Sequence, residues 1–206
     1  PQQTKKIMKK DSWMKKLKPL SKHWKRYNKS HSALLVIDLQ NYFLDPTSHA
    51  FVPDGLNILA PVNKAMETFR HQKNPVFLTR FAVKPKENSC IKEWWGATVK
   101  EGSFESELSQ KLTRKHTDIV LRKSSYSAFK GTRLLQILKK QHIDSLVIGG
   151  VLTNLCCEST AREAFNEGFK VFILVDGTAS YTEEMQLNSL TQLAYGFATP
   201  ISINDL

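Results

Sequence analysis

The stretch Ser32-Ala33-Leu34-Leu35-Val36-Ile37-Asp38 decides the fold. Residues 33–37 are all apolar and show neither the period of a helix nor the alternation of a half-exposed strand. A short apolar run of this kind, closed by a polar residue at each end, reads as a strand buried on both faces, as in a parallel sheet. Working outward, Pro75–Thr79, Asp118–Leu121, Ser145–Gly150 and Lys170–Val175 repeat the same pattern, and Pro200–Ile203 suggests a last short strand. Between them lie helical patterns. Residues 56–72 place Leu56, Leu59, Val62, Met66 and Phe69 on one side. Leu134–Gln141, Ser159–Gly168 and residues 182–197 are the others, and Gly168 is a natural stop. Strands alternating with helices predict a three-layer α/β/α sandwich, Rossmann-like, with a mostly parallel central sheet. The least regular segment, residues 81–117, is expected to form a lid or pocket wall.

The chain of 206 residues, 41% hydrophobic, has room for one domain with a full core. Its net charge of +11 is concentrated at the front. Residues 1–30 hold 11 Lys/Arg and one acid, whereas the rest holds 19 against 18. We therefore divide the chain into a basic arm, 1–31, and a single globular domain, 32–206. Only the arm can attract a polyanion or an anionic membrane, weakly, and nothing points to a specific nucleic acid. Its scattered apolar residues, among them Ile7, Met8, Trp13, Met14 and Leu17, allow a short amphipathic helix before Pro19 that could lie on a membrane. The apolar stripe is broken, which favours instead an arm packed on the domain or on a neighbouring subunit. Cys90, Cys156 and Cys157 are too few and too awkwardly spaced for a disulfide framework, so free thiols in a reducing cytoplasm are expected. No run of about 18 apolar residues is present, and the amino-terminal lysines precede no signal-peptide core.

Ligands of open parallel sheets bind beyond the carboxyl ends of the strands. Three groups of different chemistry are expected there: Asp38 after the first strand, Lys123 after the third, and Cys156 six residues beyond Gly150 of the fourth. Each has an ordinary explanation. An aspartate there often caps a helix, a lysine is usually solvated, and a free cysteine is usually a small core residue. Together they form what nucleophilic acyl chemistry needs: a thiol, a carboxylate to take its proton, and an ammonium to stabilise the thiolate. A helix beginning near Cys156 is expected to favour the thiolate further.

Three longer stretches then become recognisable. Leu34-Leu35-Val36-Ile37-Asp38-Leu39-Gln40-Asn41-Tyr42-Phe43, Arg122-Lys123-Ser124-Ser125-Tyr126-Ser127-Ala128-Phe129, and Gly150-Val151-Leu152-Thr153-Asn154-Leu155-Cys156-Cys157-Glu158-Ser159-Thr160-Ala161-Arg162 resemble, in this order, the aspartate, lysine and nucleophile motifs of the isochorismatase-like hydrolases. The resemblance runs from about residue 32 to the carboxyl terminus. It implies Cys156 as nucleophile, Asp38 as base and later acid, Lys123 as electrostatic partner, and no assigned role for Cys157. It also implies a cis peptide at Val151–Leu152 and an oxyanion hole made by the Leu152 and Cys156 N–H groups. Phe43, Trp94, Trp95, Tyr126 and Phe129, with Asn154 as a polar contact, are the candidate pocket for a small planar substrate. Arg80 could meet a substrate carboxylate or be a surface residue.

Relatives that hydrolyse nicotinamide carry a metal-binding Asp-x-His and a further histidine. Residues 79–86 hold no such group, so neither a metal nor another cofactor is expected, and His49 is read as a loop histidine. Three functions follow for weighing. The resemblance implies first a cysteine-dependent hydrolase of an amide, ureide or carbamoyl C–N bond, working through a thioester. The second is a vinyl-ether hydrolase of the isochorismate-splitting type, with Asp38 as acid; Trp94-Trp95-Gly96 resembles that branch, whose members lack the cysteine retained here. The third is a scaffold on a membrane or polyanion with a vestigial site. A homo-oligomer, dimer or tetramer, is expected in any case.

Overall fold

The computed structural model describes residues 12–21, 24, 26–87 and 90–206. The front of the basic arm, with Ile7 and Met8, lies outside the described residues, as does His23. A short helix, α1 (residues 12–17), precedes the first strand, β1 (Ser32–Ile37), whose every residue is buried. After β1 come α2 (Asn41–Leu44), α3 (Leu59–His71), β2 (Val76–Phe81), α4 (Cys90–Trp95) and β3 (Ile119–Lys123). The second half holds α5 (Leu134–Lys140), β4 (Ser145–Val151), α6 (Glu158–Asn166), β5 (Lys170–Ala179), α7 (Glu183–Gly196) and β6 (Ala198–Ile201).

The strands form one parallel sheet in the order β3-β2-β1-β4-β5-β6. The chain steps outward from β1 in one direction, then crosses to β4 and steps outward in the other. Side-chain alternation builds a core on each face. Ala33, Leu35, Ile37, Leu146, Ile148, Val171 and Ile173 meet Leu134, Leu138, Ala161, Ala164, Leu190 and Leu193 on one side. Leu34, Val36, Val147, Phe172 and Leu174 meet Ile58, Val62, Met66 and Phe69 on the other. The result is the expected three-layer α/β/α fold. No helix among the described residues is long and apolar enough to cross a membrane.

Several elements differ from expectation for physical reasons. The helix expected from residue 56 begins at Leu59, because Pro53 opens a 3₁₀ turn, Pro53–Ile58, ahead of it. Strand β5 runs on through Asp176-Gly177 to Ala179, beyond the apolar run that announced it. The register of β4 against β5 slips between Ile148 and Gly150. Gly150 has φ +123°, and a Cβ there would lie 2.1 Å from the Ile37 carbonyl oxygen. Only glycine lets the ends of β1 and β4 approach this closely.

The arm does not stop where the domain begins. Trp13 and Leu17 of α1 are 9% and 0% exposed and belong to the core on the Leu138 side of the sheet. Residue 31 is therefore no packing boundary, and the reading of an arm lying on the domain describes residues 12–20.

Candidate active site

The carboxyl ends of β1, β3 and β4 bring together the three groups that the sequence singled out. Asp38 follows β1 directly, with φ +50°, a left-handed backbone that Asp tolerates better than most residues. Its Oδ1 accepts a hydrogen bond from Thr79 Oγ1 of β2 at 2.7 Å, and its N–H is 3.2 Å from the same oxygen. Lys123 is the last residue of β3, the edge strand, and its side chain reaches inward past the Phe81 ring, 5.4 Å from the centroid. Its ammonium lies 2.7 Å from Asp38 Oδ2, donates to the Ser125 carbonyl at 2.8 Å, and lies 3.4 Å from Cys156 Sγ. Cys156 stands in a π-helical turn, Thr153–Cys157, that leads into α6. The Val151–Leu152 peptide just before that turn is cis.

Groups missed by the sequence reading fix this turn to α7. Thr153 Oγ1 meets Gln186 Oε1 at 2.5 Å, and the Gln186 amide donates to Thr178. Ser189 Oγ donates to the Glu158 carboxylate at 2.6 Å. A glutamine on an otherwise apolar helix face was the one available sequence signal, since buried polar groups need partners.

The electrostatics depart from expectation in one respect. Burial pushes the Cys156 thiol up to about 12, and Lys123 offsets this only in part because the Asp38 carboxylate works in the same direction as burial. Burial thus favours the protonated thiol at rest, against the thiolate that the ammonium and helix terminus were expected to favour. Burial also acts against the Lys123 charge, yet Asp38 and Cys156 more than offset it and hold the ammonium above its ordinary range. Cys157 is likewise raised by burial and points into the core beneath the turn.

Cys156 opens into a cavity of about 290 Å³. Of the candidate pocket residues, Phe43, Trp95 and Tyr126 line it, and Leu152, expected only as an oxyanion-hole donor, lies in the same wall. Trp94, Phe129 and Asn154 do not line it. Trp94 is 80% exposed on the outer side of α4, and Phe129 is buried in the core against Phe169 at 6.2 Å. Asn154 sits on the turn outside the cavity wall, its Oδ1 buried without a partner among the described residues. In their place the wall takes Tyr42, His49, Phe81, Thr98 and Tyr181. His49, read as a loop residue, pairs its Nε2 with the Tyr42 hydroxyl at 3.1 Å. Arg80 is held within the chain by Glu101 at 2.5 Å. No group of three or more His, Cys, Asp or Glu side chains among the described residues is arranged to hold a metal.

Comparison with known proteins matches residues 32–205 to the family described as Isochorismatase domain. Nicotinamidase 3 of Arabidopsis thaliana is 39% identical over 183 residues, covering 87% of this chain and 88% of that protein. Isochorismatase of Bacillus subtilis is 32% identical over 174 residues, covering 80% of this chain but 53% of its own length. The crystal structure of a cysteine hydrolase from Pseudomonas syringae pv. phaseolicola superposes with a TM-score of 0.85 at 24% identity, covering 89% of this chain and 93% of that one. A family match that begins at the first residue of β1 and ends one residue short of the carboxyl terminus makes the chain an enzyme of the isochorismatase-like hydrolase family.

Proposed function

We propose that the enzyme hydrolyses the carbon–nitrogen bond of an amide, ureide or carbamoyl group in a small planar molecule, through a thioester on Cys156. The observation behind this reading is the buried contact of Cys156 with Lys123 and Asp38 at the floor of an aromatic cavity. Because the thiol rests protonated, its proton must leave as sulfur attacks, and the adjoining Asp38 carboxylate is the acceptor. Lys123 keeps a compensating positive charge beside both groups. The N–H groups of Leu152 and Cys156, at the cavity wall, are assigned to the oxyanion. Asp38 then returns the proton to the departing nitrogen and activates the water that clears the thioester.

The relative named Nicotinamidase 3 supports an aromatic carboxamide as the first substrate to test. The experiment is ammonia release from a panel of small amides, beginning with nicotinamide. Cys156→Ala is expected to lower the rate by at least about a thousandfold with the fold intact, the scale of losing a nucleophile. Cys157→Ala is expected to retain most activity. Activity that survives Cys156→Ala but not Asp38→Asn, on a vinyl ether such as isochorismate, would replace this reading with the acid-catalysed one.

A further inference from the structure

Two hydroxyls of the cavity, those of Tyr126 and Tyr181, have hydrogen-bonding directions fixed by their partners, and those directions select a substrate. The indole N–H of Trp95 is 2.8 Å from the Tyr126 oxygen. An indole nitrogen only donates, so Tyr126 must accept and keeps its own proton free for the cavity. Tyr181, two residues beyond β5, does the reverse. Its hydroxyl lies 3.1 Å from the Ala50 carbonyl oxygen. A carbonyl only accepts, so the Tyr181 proton is committed there and its free valence is a lone pair. Burial, then Tyr42, then Cys156 hold this phenol up at about 12, so it keeps that proton across the neutral range. Tyr42 and His49 are engaged with each other. Among the lining side chains described, Tyr181 is thus the hydroxyl whose proton is committed to the protein's own backbone while its oxygen remains free, and it lines the same cavity as the Cys156 thiol.

An amide on Cys156 has two polar ends. Its carbonyl oxygen meets donors under the function proposed above, on which this inference rests. Its N–H needs an acceptor, because a donor left unmatched in a closed apolar site is costly. We propose that Tyr181 is a specificity-determining residue whose hydroxyl oxygen accepts the N–H of the scissile amide, so that the cavity favours amides bearing at least one N–H over esters of the same acid. An ester offers an oxygen where the amide offers a donor, and two lone pairs then face each other.

The test is Tyr181→Phe, which keeps the ring and removes the oxygen. The kcat/KM of wild type and variant is measured on nicotinamide and on methyl nicotinate, which share one acyl group. The amide-to-ester ratio is expected to fall about tenfold in the variant, the size of one hydrogen bond. An unchanged ratio overturns the assignment, whether both substrates slow equally, as loss of the Ala50 contact alone would produce, or neither slows. A wild-type enzyme that releases ammonia while the ratio stays fixed overturns this inference and leaves the function standing. Where nicotinamide is not cleaved, the ratio is measured on the first amide of the panel that is and on its methyl ester, and a wild-type enzyme that cleaves no member of the panel overturns both.

Discussion

In the mechanism proposed above, Cys156 is a strong nucleophile in reaction and protonated at rest. A thiol held at about 12 carries almost no thiolate near neutral pH. Adventitious oxidation and alkylation require the thiolate and are therefore expected to be slow at Cys156 in the resting protein. The same shift links stability to pH. The native state keeps a proton that the unfolded chain begins to lose at the ordinary value of 9.0. This contribution is complete below pH 9.0 and disappears as pH rises through the window to about 12. The raised Cys157 and Lys123 act in the same direction. Denaturant titrations from pH 8 to 11 are therefore expected to show falling stability, and Cys156→Ser to show a shallower fall. An identical slope in both proteins would mean that the thiol ionises as freely in the fold as outside it.

At the scale of elements, the wall that closes the cavity is tied down at both flanks. Arg80 and Arg122 are register partners on β2 and β3. Glu87, before α4, takes Arg122 at 2.9 Å and Ser124 Oγ at 2.6 Å. Glu101, after Thr98, takes Arg80 at 2.5 Å. Ile91, Trp95, Ala97 and Thr98, all lining residues, lie between these two anchors. The Ser124 hydrogen bond, the Lys84 N–H and Arg122 hold Glu87 down at about 2, so the anchor stays charged at any working pH. Half-exposed ion pairs are individually weak. Glu87→Gln is accordingly expected to raise KM by no more than about fivefold and to leave kcat within about twofold, in steady-state assays at low salt. A large loss of kcat would mean that the anchor also positions Lys123. This segment marks the limit of what the sequence could reveal. The buried strands announced themselves because a run such as residues 33–37 has few other places to go. The ends of β1, β3 and β4 then followed from topology, and with them the meeting of Asp38, Lys123 and Cys156. The cavity wall did not follow, because apolar and aromatic residues look alike whether they face a ligand or the core. Phe129 went to the core, Trp94 to solvent, Tyr42 came in from α2, and His49 and Tyr181 came in from separate loops. The Tyr181–Ala50 contact spans 131 residues, a separation that no local pattern encodes.

The whole molecule includes part of the arm. The chain up to residue 11 contributes four lysines, while residues 12–20 contribute the buried Trp13 and Leu17. Charge and packing can therefore be separated by truncation. Removal of residues 1–11 is expected to lower retention on a heparin column and leave the melting temperature within about 2 °C. Removal of residues 1–20 also takes away Leu17 and Trp13, and burying one such side chain stabilises by about 2–3 kcal/mol. At about 2–4 °C per kcal/mol for a chain of this size, losing both side chains is expected to lower the melting temperature by about 8–24 °C in calorimetry. Unchanged retention after the first truncation would mean that the lysines are neutralised within the molecule. One further consequence comes from the strand order. The first half of the chain supplies β1, β2 and β3 as one contiguous block of sheet, and the second half supplies β4, β5 and β6 as the other. The blocks are joined along the seam from Ser32↔Ser145 to Ile37↔Gly150, and the exposed Lys130-Gly131 lies in the connection between them. Asp38 and Lys123 fall in one block and Cys156 in the other. On the proposed mechanism, a chain cut at that connection is expected to give two inactive pieces whose reunion restores thiol, carboxylate and ammonium together, so that turnover reports the closing of the central seam.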